Sequence, residues 1–220
     1  MTTSTTPWRR RLAALIGVGA LTAGAAAVAT PAEAAKAAPG ERSLATVLTS
    51  DGNHFDSDRS DYDITTEAVL AVLGAKPSSP VGALTDGSVE LTAFIPSDRA
   101  FRVLVHDLTG QRYAREKRVF NELVAAVGVD TVETVLLYHV VPGMKINKKA
   151  ALASDGAVLP TAQGGTFTVD VVDPEAAKIR LRDADPDDYD ARINPHRFDI
   201  NKGNRQIAHG ITQVLRPANL

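Results

Sequence analysis

The stretch Leu136-Leu137-Tyr138-His139-Val140-Val141-Pro142-Gly143 decides how the rest of the chain is interpreted. A Tyr-His pair lies inside an apolar run that ends at a Pro-Gly turn, which predicts a buried segment closed by a turn. Before this stretch the apolar residues recur with a helical period, and after it apolar and polar residues alternate as they do in strands. The stretch therefore separates a mainly helical part of the chain from a strand-rich part.

Several segments before this stretch carry apolar residues at helical spacing, each bounded by a capping residue or a glycine. The predicted helices run from Thr65 to Gly74, from Ser97 to Gly110, from Phe120 to Gly128 and from Asp130 to Leu136. Residues 75–88 are rich in Pro and Gly and predict a loop.

Strands are predicted mainly in the second half of the chain. The predicted strands are Leu91–Ile95, ended by Pro96, and three alternating stretches at 166–171, 178–182 and 207–211. Gly164-Gly165 predicts a hairpin turn before the first alternating stretch. Helices clustered before strands predict an α+β domain rather than a series of βαβ units.

The N-terminus predicts export. Arg9-Arg10-Arg11 precedes an uncharged, Ala-rich stretch from Leu12 to Ala29, and the small residues Ala32 and Ala34 fit a cleavage site. We expect residues 1–34 to be a signal peptide, because the stretch is short and Ala-rich for a membrane span. Both the general and the twin-arginine export routes stay open. We expect no stable membrane insertion after cleavage.

Composition limits the classes of function. The chain contains no Cys, so it has neither disulfides nor thiol chemistry. Without the leader, 21 basic and 25 acidic residues give a net charge of −4, which argues against a nucleic-acid partner. The remaining length suits one domain, which we place at residues 43–218 after a flexible lead-in at 35–42.

Three segments together resemble the fasciclin domain family. The Tyr-His segment matches the family pattern at Tyr138, His139, Val140, Pro142 and Gly143. A segment earlier in the chain matches at Phe94, Pro96, Asp98, Ala100 and Phe101. A segment near the C-terminus matches at Ile207, His209, Ile211, Val214, Leu215 and Pro217. Arg205-Gln206 and Thr212 depart from the family pattern of the last segment, so the turn before its strand is expected to differ. The resemblance implies a fasciclin-like fold, with a wedge or sandwich of mixed β-sheets as its core and helices packed around it.

The resemblance also implies a function. Fasciclin domains are extracellular modules, so we expect a secreted module for binding, cell adhesion or matrix attachment. Such a module is either free outside the cell or associated with the cell surface. Its partner is expected to be an extracellular or cell-surface protein or polysaccharide. In some animal fasciclin domains the Tyr-His segment is linked to receptor binding, which makes Tyr138 and His139 the candidate binding residues. A structural role is the alternative for His139 and for His209, because both lie among apolar residues and can bond backbone groups.

Catalytic motifs give no support for an enzyme. The sequence has no Gly-x-Ser-x-Gly elbow, no His-Glu-x-x-His and no dinucleotide or phosphate-binding glycine pattern. Ser97 and His139 form the one nucleophile and base pair that can be suggested, but Ser97 is already assigned to a helix cap. We expect no catalytic residues and no cofactor.

Two acidic loops provide an alternative function. The pattern Asp-x-Asp-x-x-Asp-Tyr-Asp occurs at residues 56–63 and again at 183–190. Alternating carboxylates suit Ca²⁺, which collects oxygen ligands from flexible loops. In the first copy, Asp56, Asp58, Ser60 and Glu67 take positions of an EF-hand-like loop, although Asp61 replaces its glycine. The alternatives are an exported protein that binds Ca²⁺ or a small ligand, and two solvated surface loops.

Overall fold

The structure, a computed structural model, describes residues 38–50, 52 and 54–220. The predicted signal peptide at residues 1–34 lies outside the described residues. Within the described part of the chain, no helix has the length and apolar composition needed to cross a membrane.

The predicted helices are present, although several of their ends differ from the prediction, and two short α-helices were not predicted. The helices are α1 Leu44–Leu48, α2 Asp63–Ala75, α3 Asp98–Thr109, α4 Glu116–Tyr138 and α5 Lys148–Leu152, with a 3₁₀ helix at Pro80–Thr85. The 3₁₀ helix lies in the stretch predicted as loop, where Pro80 occupies its first turn. Helix α2 begins two residues before the predicted start, because the Asp98 carboxylate accepts the Ile64 N–H at 3.0 Å and so caps the helix.

Glycines end or interrupt helices as the sequence predicts. Gly110 follows α3 in the left-handed conformation, with φ of 69°, and its N–H bonds the His106 carbonyl. Gly128 has φ of 75° and breaks α4 into two helical segments. The predicted capping box after it is replaced by an ion pair, because Asp130 and Glu133 both contact the Lys76 ammonium group.

The strands form two sheets. They are β1 Leu91–Pro96, β2 Val140–Pro142, β3 Val158–Pro160, β4 Thr166–Asp173, β5 Lys178–Arg182, β6 Ala191–Arg192 and β7 Gln206–Ile211. In the smaller sheet, β1 lies between β2, to which it is antiparallel, and β7, to which it is parallel. Strands β3 to β6 form an antiparallel sheet in sequence order. The α+β class with mixed sheets is therefore confirmed.

The smaller sheet is covered on both faces. Ala93 and Ile95 of β1 belong to an apolar cluster that includes residues of α2, α3 and α4. Phe94, which points to the opposite face, joins a second cluster with Phe167 and Leu181 of the larger sheet. Every residue of β1 and β7 is consequently buried, which makes these strands the centre of the domain.

The residues just before the predicted domain boundary contact the segment that precedes β7. Gly40 N–H bonds the Gly203 carbonyl at 2.9 Å, and Arg205 N–H bonds the Gly40 carbonyl at 2.9 Å. Arg42 N–H also bonds the Asn204 side chain at 3.1 Å. The end of the predicted lead-in is thus attached to the turn before β7.

Candidate binding cleft and carboxylate clusters

His139 is a buried core residue held by two backbone groups. It caps the C-terminus of α4 and is 4% exposed. Its Nδ1–H donates to the Val135 carbonyl at 2.7 Å, and its Nε2 accepts the Leu215 N–H at 2.8 Å. Because Nε2 is an acceptor, the ring is neutral, and burial lowers the pKa of His139 to about 4.

His209 is held in the same way on β7. It is fully buried, its Nε2–H donates to the Ile146 carbonyl at 2.8 Å, and its Nδ1 accepts the Asp199 N–H at 3.2 Å. Burial lowers the pKa of His209 as well. Both histidines therefore connect chain segments that are distant in sequence.

Tyr138 points into the second core. It is 1% exposed, and its hydroxyl donates to the Thr166 carbonyl at 2.5 Å. Since Tyr138 and His139 are both buried, they offer a partner almost no surface in this conformation. Binding by these two residues stays a prediction, and the contacts described here give them a structural role.

The suggested Ser97 and His139 pair does not have the geometry of a nucleophile and its base. Both ring nitrogens of His139 are engaged by backbone groups, so neither is available to accept a proton from Ser97. Ser97 is the N-cap of α3, but its hydroxyl makes no capping hydrogen bond, contrary to the prediction. The Ser97 backbone carbonyl accepts the Ala100 N–H instead, at 2.8 Å.

In the first acidic loop the predicted calcium ligands bond their own turn or lie apart, and calcium binding there stays a prediction. Asp58 Oδ1 accepts the N–H and hydroxyl of Ser60 at 2.9 and 2.7 Å, so this carboxylate stabilises its own turn. Glu67 lies in the second turn of α2. Among the described residues, the groups of acidic side chains that converge closely enough for a metal include Asp56 but neither Asp58 nor Glu67.

A different set of carboxylates converges instead. Asp63, Asp98 and Glu116 have oxygens within 4.8 Å of one another, and all three are buried. Glu116 Oε2 accepts the Asp56 N–H at 2.7 Å, and Glu116 Oε1 pairs with Arg102 at 3.0 Å. Burial, with a smaller contribution from the nearby Asp61 carboxyl, raises the pKa of Asp98 to about 8.

The second acidic loop surrounds a cation of the chain itself. The Arg216 guanidinium is 3.3 Å from Asp185, 3.0 Å from Asp188 and 2.7 Å from Asp107. Asp183 accepts the backbone N–H of Arg216 at 2.8 Å. The loop at 183–190 is therefore a binding site for an internal arginine, and Ca²⁺ binding there stays a prediction.

A cleft of about 670 Å³ opens where β1 and β7 end. Its lining includes four arginines and two aspartates, namely Arg59, Arg99, Arg180, Arg192, Asp188 and Asp190. Arg180 is paired with Asp170 and with Asp190, and Asp188 is paired with Arg216, but no carboxylate of the described residues forms an ion pair with the other three arginines. Those three side chains are exposed, so the cleft presents an excess of positive charge, with four arginines against two aspartates. The cleft could not be predicted from the sequence, because its arginines come from four separate segments.

Tyr189 and Tyr62 contribute aromatic surface to the cleft. Tyr189 is 84% exposed at its edge, in the second acidic loop. Tyr62 packs over the backbone of Gly210 so closely that an added Cβ at Gly210 would overlap the Tyr62 hydroxyl. A concave surface that combines guanidinium groups and tyrosine rings suits a partner with anionic groups.

Comparison with known proteins agrees with the segments quoted from the sequence. The sequence pattern of the fasciclin domain matches residues 75–217. Among solved structures, the chain is similar to a FAS1 domain pair from the insect cell adhesion molecule fasciclin I, at 16% identity and a TM-score of 0.48. The similarity covers 69% of this chain and 46% of that one, so this chain spans less than half of that structure. No curated protein shows significant similarity. Since the domain pattern matches well over half of its residues, the chain belongs to the fasciclin domain family.

Proposed function

We propose that this protein is a secreted, non-enzymatic binding module that attaches to an extracellular or cell-surface partner through its arginine-lined cleft. Membership of the fasciclin domain family supports a role in adhesion or matrix attachment. The sequence of residues 1–34 supports export, with Ala35 as the mature N-terminus. N-terminal sequencing of protein recovered from culture medium tests this, and recovery of the intact leader would contradict it.

The observation that carries the proposal is an excess of positive charge in a concave site of an acidic protein. Arg59, Arg99 and Arg192 line the cleft, and the described residues provide no carboxylate within ion-pair distance of them. Arginine presents a planar fork of N–H groups that matches carboxylate, phosphate and sulfate oxygens. The partner is therefore expected to present anionic groups of this kind.

The size and concave shape of the cleft also favour binding over nonspecific charge attraction. Its volume of about 670 Å³ falls within the range of small-ligand sites, about 300–1,000 Å³. Charges lining a concave surface with low-dielectric walls produce a stronger local potential than the same charges on a flat surface. A projecting acidic group of a larger partner therefore fits the cleft better than a flat anionic surface does.

Retention on defined matrices tests the cleft directly. Purified protein is passed at neutral pH over carboxylate, phosphate, sulfate and hydroxyl-only matrices, and the salt needed for elution is measured. We expect retention on at least one anionic matrix and none on the hydroxyl matrix. The triple substitution Arg59→Ser, Arg99→Ser and Arg192→Ser should lower the affinity for that matrix at least about tenfold, because each charge-assisted contact contributes roughly 1.5–3 kcal/mol. The variant should therefore elute at a lower salt concentration than wild type.

A matched control removes the same charge elsewhere. Arg112, Arg115 and Lys117 form a separate exposed basic stretch before and at the start of α4. Replacing these three residues by Ser should leave retention nearly unchanged. Loss of retention in this control alone would move the binding site away from the cleft, and equal elution of all three proteins would refute the proposal.

A further inference from the structure

We propose that the arginine-lined cleft binds an acidic polysaccharide, a chain of sugar rings that bear carboxylates at regular intervals. This inference rests on the proposed function and names the class of ligand for the same cleft. It is supported by guanidinium groups on two walls of the cleft, by hydrogen-bond acceptors beside them, and by an exposed aromatic ring at the edge.

The backbone places the basic residues of the cleft on two walls. On the first wall, Arg99 N–H bonds the Arg59 carbonyl at 3.0 Å, so these two residues lie side by side. On the second wall, Arg192 lies opposite Arg180 in the pairing of β6 with β5. All four side chains line the same cleft. The positive charge is therefore divided between two separate backbone segments on each side.

The end of β7 separates the two walls. Ser97 N–H, at the base of the first wall, bonds the Ile211 carbonyl at 3.2 Å. Thr212 N–H bonds the carbonyl of Arg192, on the second wall, at 3.0 Å. Because adjacent strands lie about 4.8 Å apart, the backbones of the two walls are roughly 10 Å apart across β7. Guanidinium groups on both walls can therefore bind different anionic groups at the same time.

The number of available guanidinium groups favours a repeated anion. Arg59, Arg99 and Arg192 line the cleft, are exposed, and form no ion pair with a carboxylate of the described residues. One carboxylate is satisfied by one guanidinium fork, through two parallel N–H···O bonds. Three forks on two walls therefore match several carboxylates along one chain better than they match the single carboxylate of a small acid.

Two carboxylates in the cleft favour a partner that also donates hydrogen bonds. Asp190 lies 3.8 Å from Arg180 Nε, and Asp188 lies 3.0 Å from Arg216. An ionised carboxylate has about four lone-pair sites, so both groups can accept further hydrogen bonds. Sugar hydroxyls donate to such oxygens and accept from guanidinium groups. A polyphosphate or a densely sulfated polymer offers few donors, and the same two carboxylates repel its closely spaced charges.

Tyr189 provides an apolar surface at the edge of the cleft. Its side chain is 84% exposed, although the residues on either side of it, Asp188 and Asp190, are both held by ion pairs. One face of a pyranose ring consists of C–H groups, which pack against an aromatic ring while the hydroxyls stay free for hydrogen bonds. An acidic peptide carries its carboxylates on flexible chains and offers no such ring face. The exposed tyrosine beside the arginines therefore favours a sugar over a peptide.

Polymers that differ in one property at a time test this inference. Binding to the full mature protein is measured by isothermal titration calorimetry at neutral pH and low salt, with chelator present so that no divalent ion links the polymers. The probes are polygalacturonate, its methyl ester, the galacturonate monomer, polyglutamate of similar length and dextran sulfate. We expect polygalacturonate to bind at least about tenfold more tightly than the other anionic probes. The methyl ester, which has lost the charge and kept the sugar, should not bind.

Variants connect this preference to the cleft. The triple substitution Arg59→Ser, Arg99→Ser and Arg192→Ser should lower the affinity for polygalacturonate and for polyglutamate alike. Tyr189→Ala should lower the affinity for polygalacturonate alone, by about threefold to tenfold, whereas Tyr189→Phe keeps the ring and should bind as wild type does. Val172→Ala also shortens an exposed apolar side chain, but outside the cleft, and should leave both affinities unchanged.

The outcomes separate this inference from the proposed function. Equal affinity for polygalacturonate and polyglutamate, or an unchanged affinity of Tyr189→Ala for polygalacturonate, would overturn the assignment to a sugar and leave the cleft as a site for anionic groups. Tighter binding of dextran sulfate would overturn the choice of carboxylates, and equal affinity for the monomer would overturn the repeated anion. If none of the anionic probes binds, both this inference and the proposed function are wrong.

Discussion

Replacing His139 by Ala should destabilise the domain strongly, and the size of the effect should depend on pH. In the wild-type protein the imidazole bonds both the Val135 carbonyl and the Leu215 N–H in a buried environment. The substitution leaves these backbone groups without partners and opens a cavity. Each orphaned buried group costs about 1–3 kcal/mol, so a loss of about 4 kcal/mol at pH 7.5 is expected.

The pH dependence follows from the lowered pKa. Because the folded protein holds His139 neutral with a pKa of about 4, against an ordinary histidine pKa of 6.5, unfolding is accompanied by proton uptake below pH 6.5. The stability contributed by the neutral ring is complete above pH 6.5 and is lost as the pH falls toward 4. The loss amounts to about 3 kcal/mol, at roughly 1.4 kcal/mol per pH unit.

Urea unfolding at several pH values measures both effects. The difference in unfolding free energy between wild type and His139→Ala should shrink from about 4 kcal/mol at pH 7.5 to about 1 kcal/mol at pH 4. His209 contributes to the pH dependence of stability in both proteins, so its contribution cancels in the difference between them. His196 is exposed, so His196→Ala is the control and should behave like wild type. A difference that is constant across this pH range would refute the assignment of His139 as a neutral, buried residue.

Two further predictions concern other buried contacts. Arg216→Ala should cost about 3–5 kcal/mol in urea unfolding, because it leaves the buried Asp185 carboxylate without its cation, and an unchanged midpoint would contradict this. Gly210→Ala should cost about 1–3 kcal/mol, because the new Cβ overlaps the Tyr62 hydroxyl, and a variant as stable as wild type would show that this contact relaxes easily.

The fold could be predicted where the determining interactions are local. Gly110 and Gly128 each mark the end of a helical segment, since a left-handed backbone suits glycine at those points. Pro96 ends β1, as predicted. The alternation around Phe167 and Ile179 predicts the hairpin of β4 and β5, because side chains in a strand alternate between the two faces.

Contacts between distant residues could not be predicted in this way. Gln206 departs from the family pattern, and only the structure shows that its amide accepts the Leu44 N–H at 2.7 Å and donates to Ala83 and Asp86 carbonyls. This side chain therefore attaches the start of β7 to α1 and to the end of the 3₁₀ helix. The short strands β2, β3 and β6 carry too few residues for a periodic signal.

The candidate sites were predicted only in part for the same reason. The sequence places carboxylates at 56–63, but it does not show that Asp98 and Glu116 join them from other helices. It likewise gives no sign that Arg216 lies inside the second acidic loop. The charge pattern along the chain indicates where acidic residues are, whereas tertiary packing decides which cation they face.

The claim that the arginine-lined cleft attaches this protein to an extracellular partner is tested most directly by retention of cells or cell-wall fragments. Wild type, the triple cleft variant at Arg59, Arg99 and Arg192, and the charge-matched variant at Arg112, Arg115 and Lys117 are immobilised at equal density. Many immobilised copies compensate for the modest affinity of a single module. The account predicts that wild type and the charge-matched variant retain material equally well, while the cleft variant retains at least about tenfold less. Retention by the cleft variant at the wild-type level, or by none of the proteins above an inert control, would contradict it.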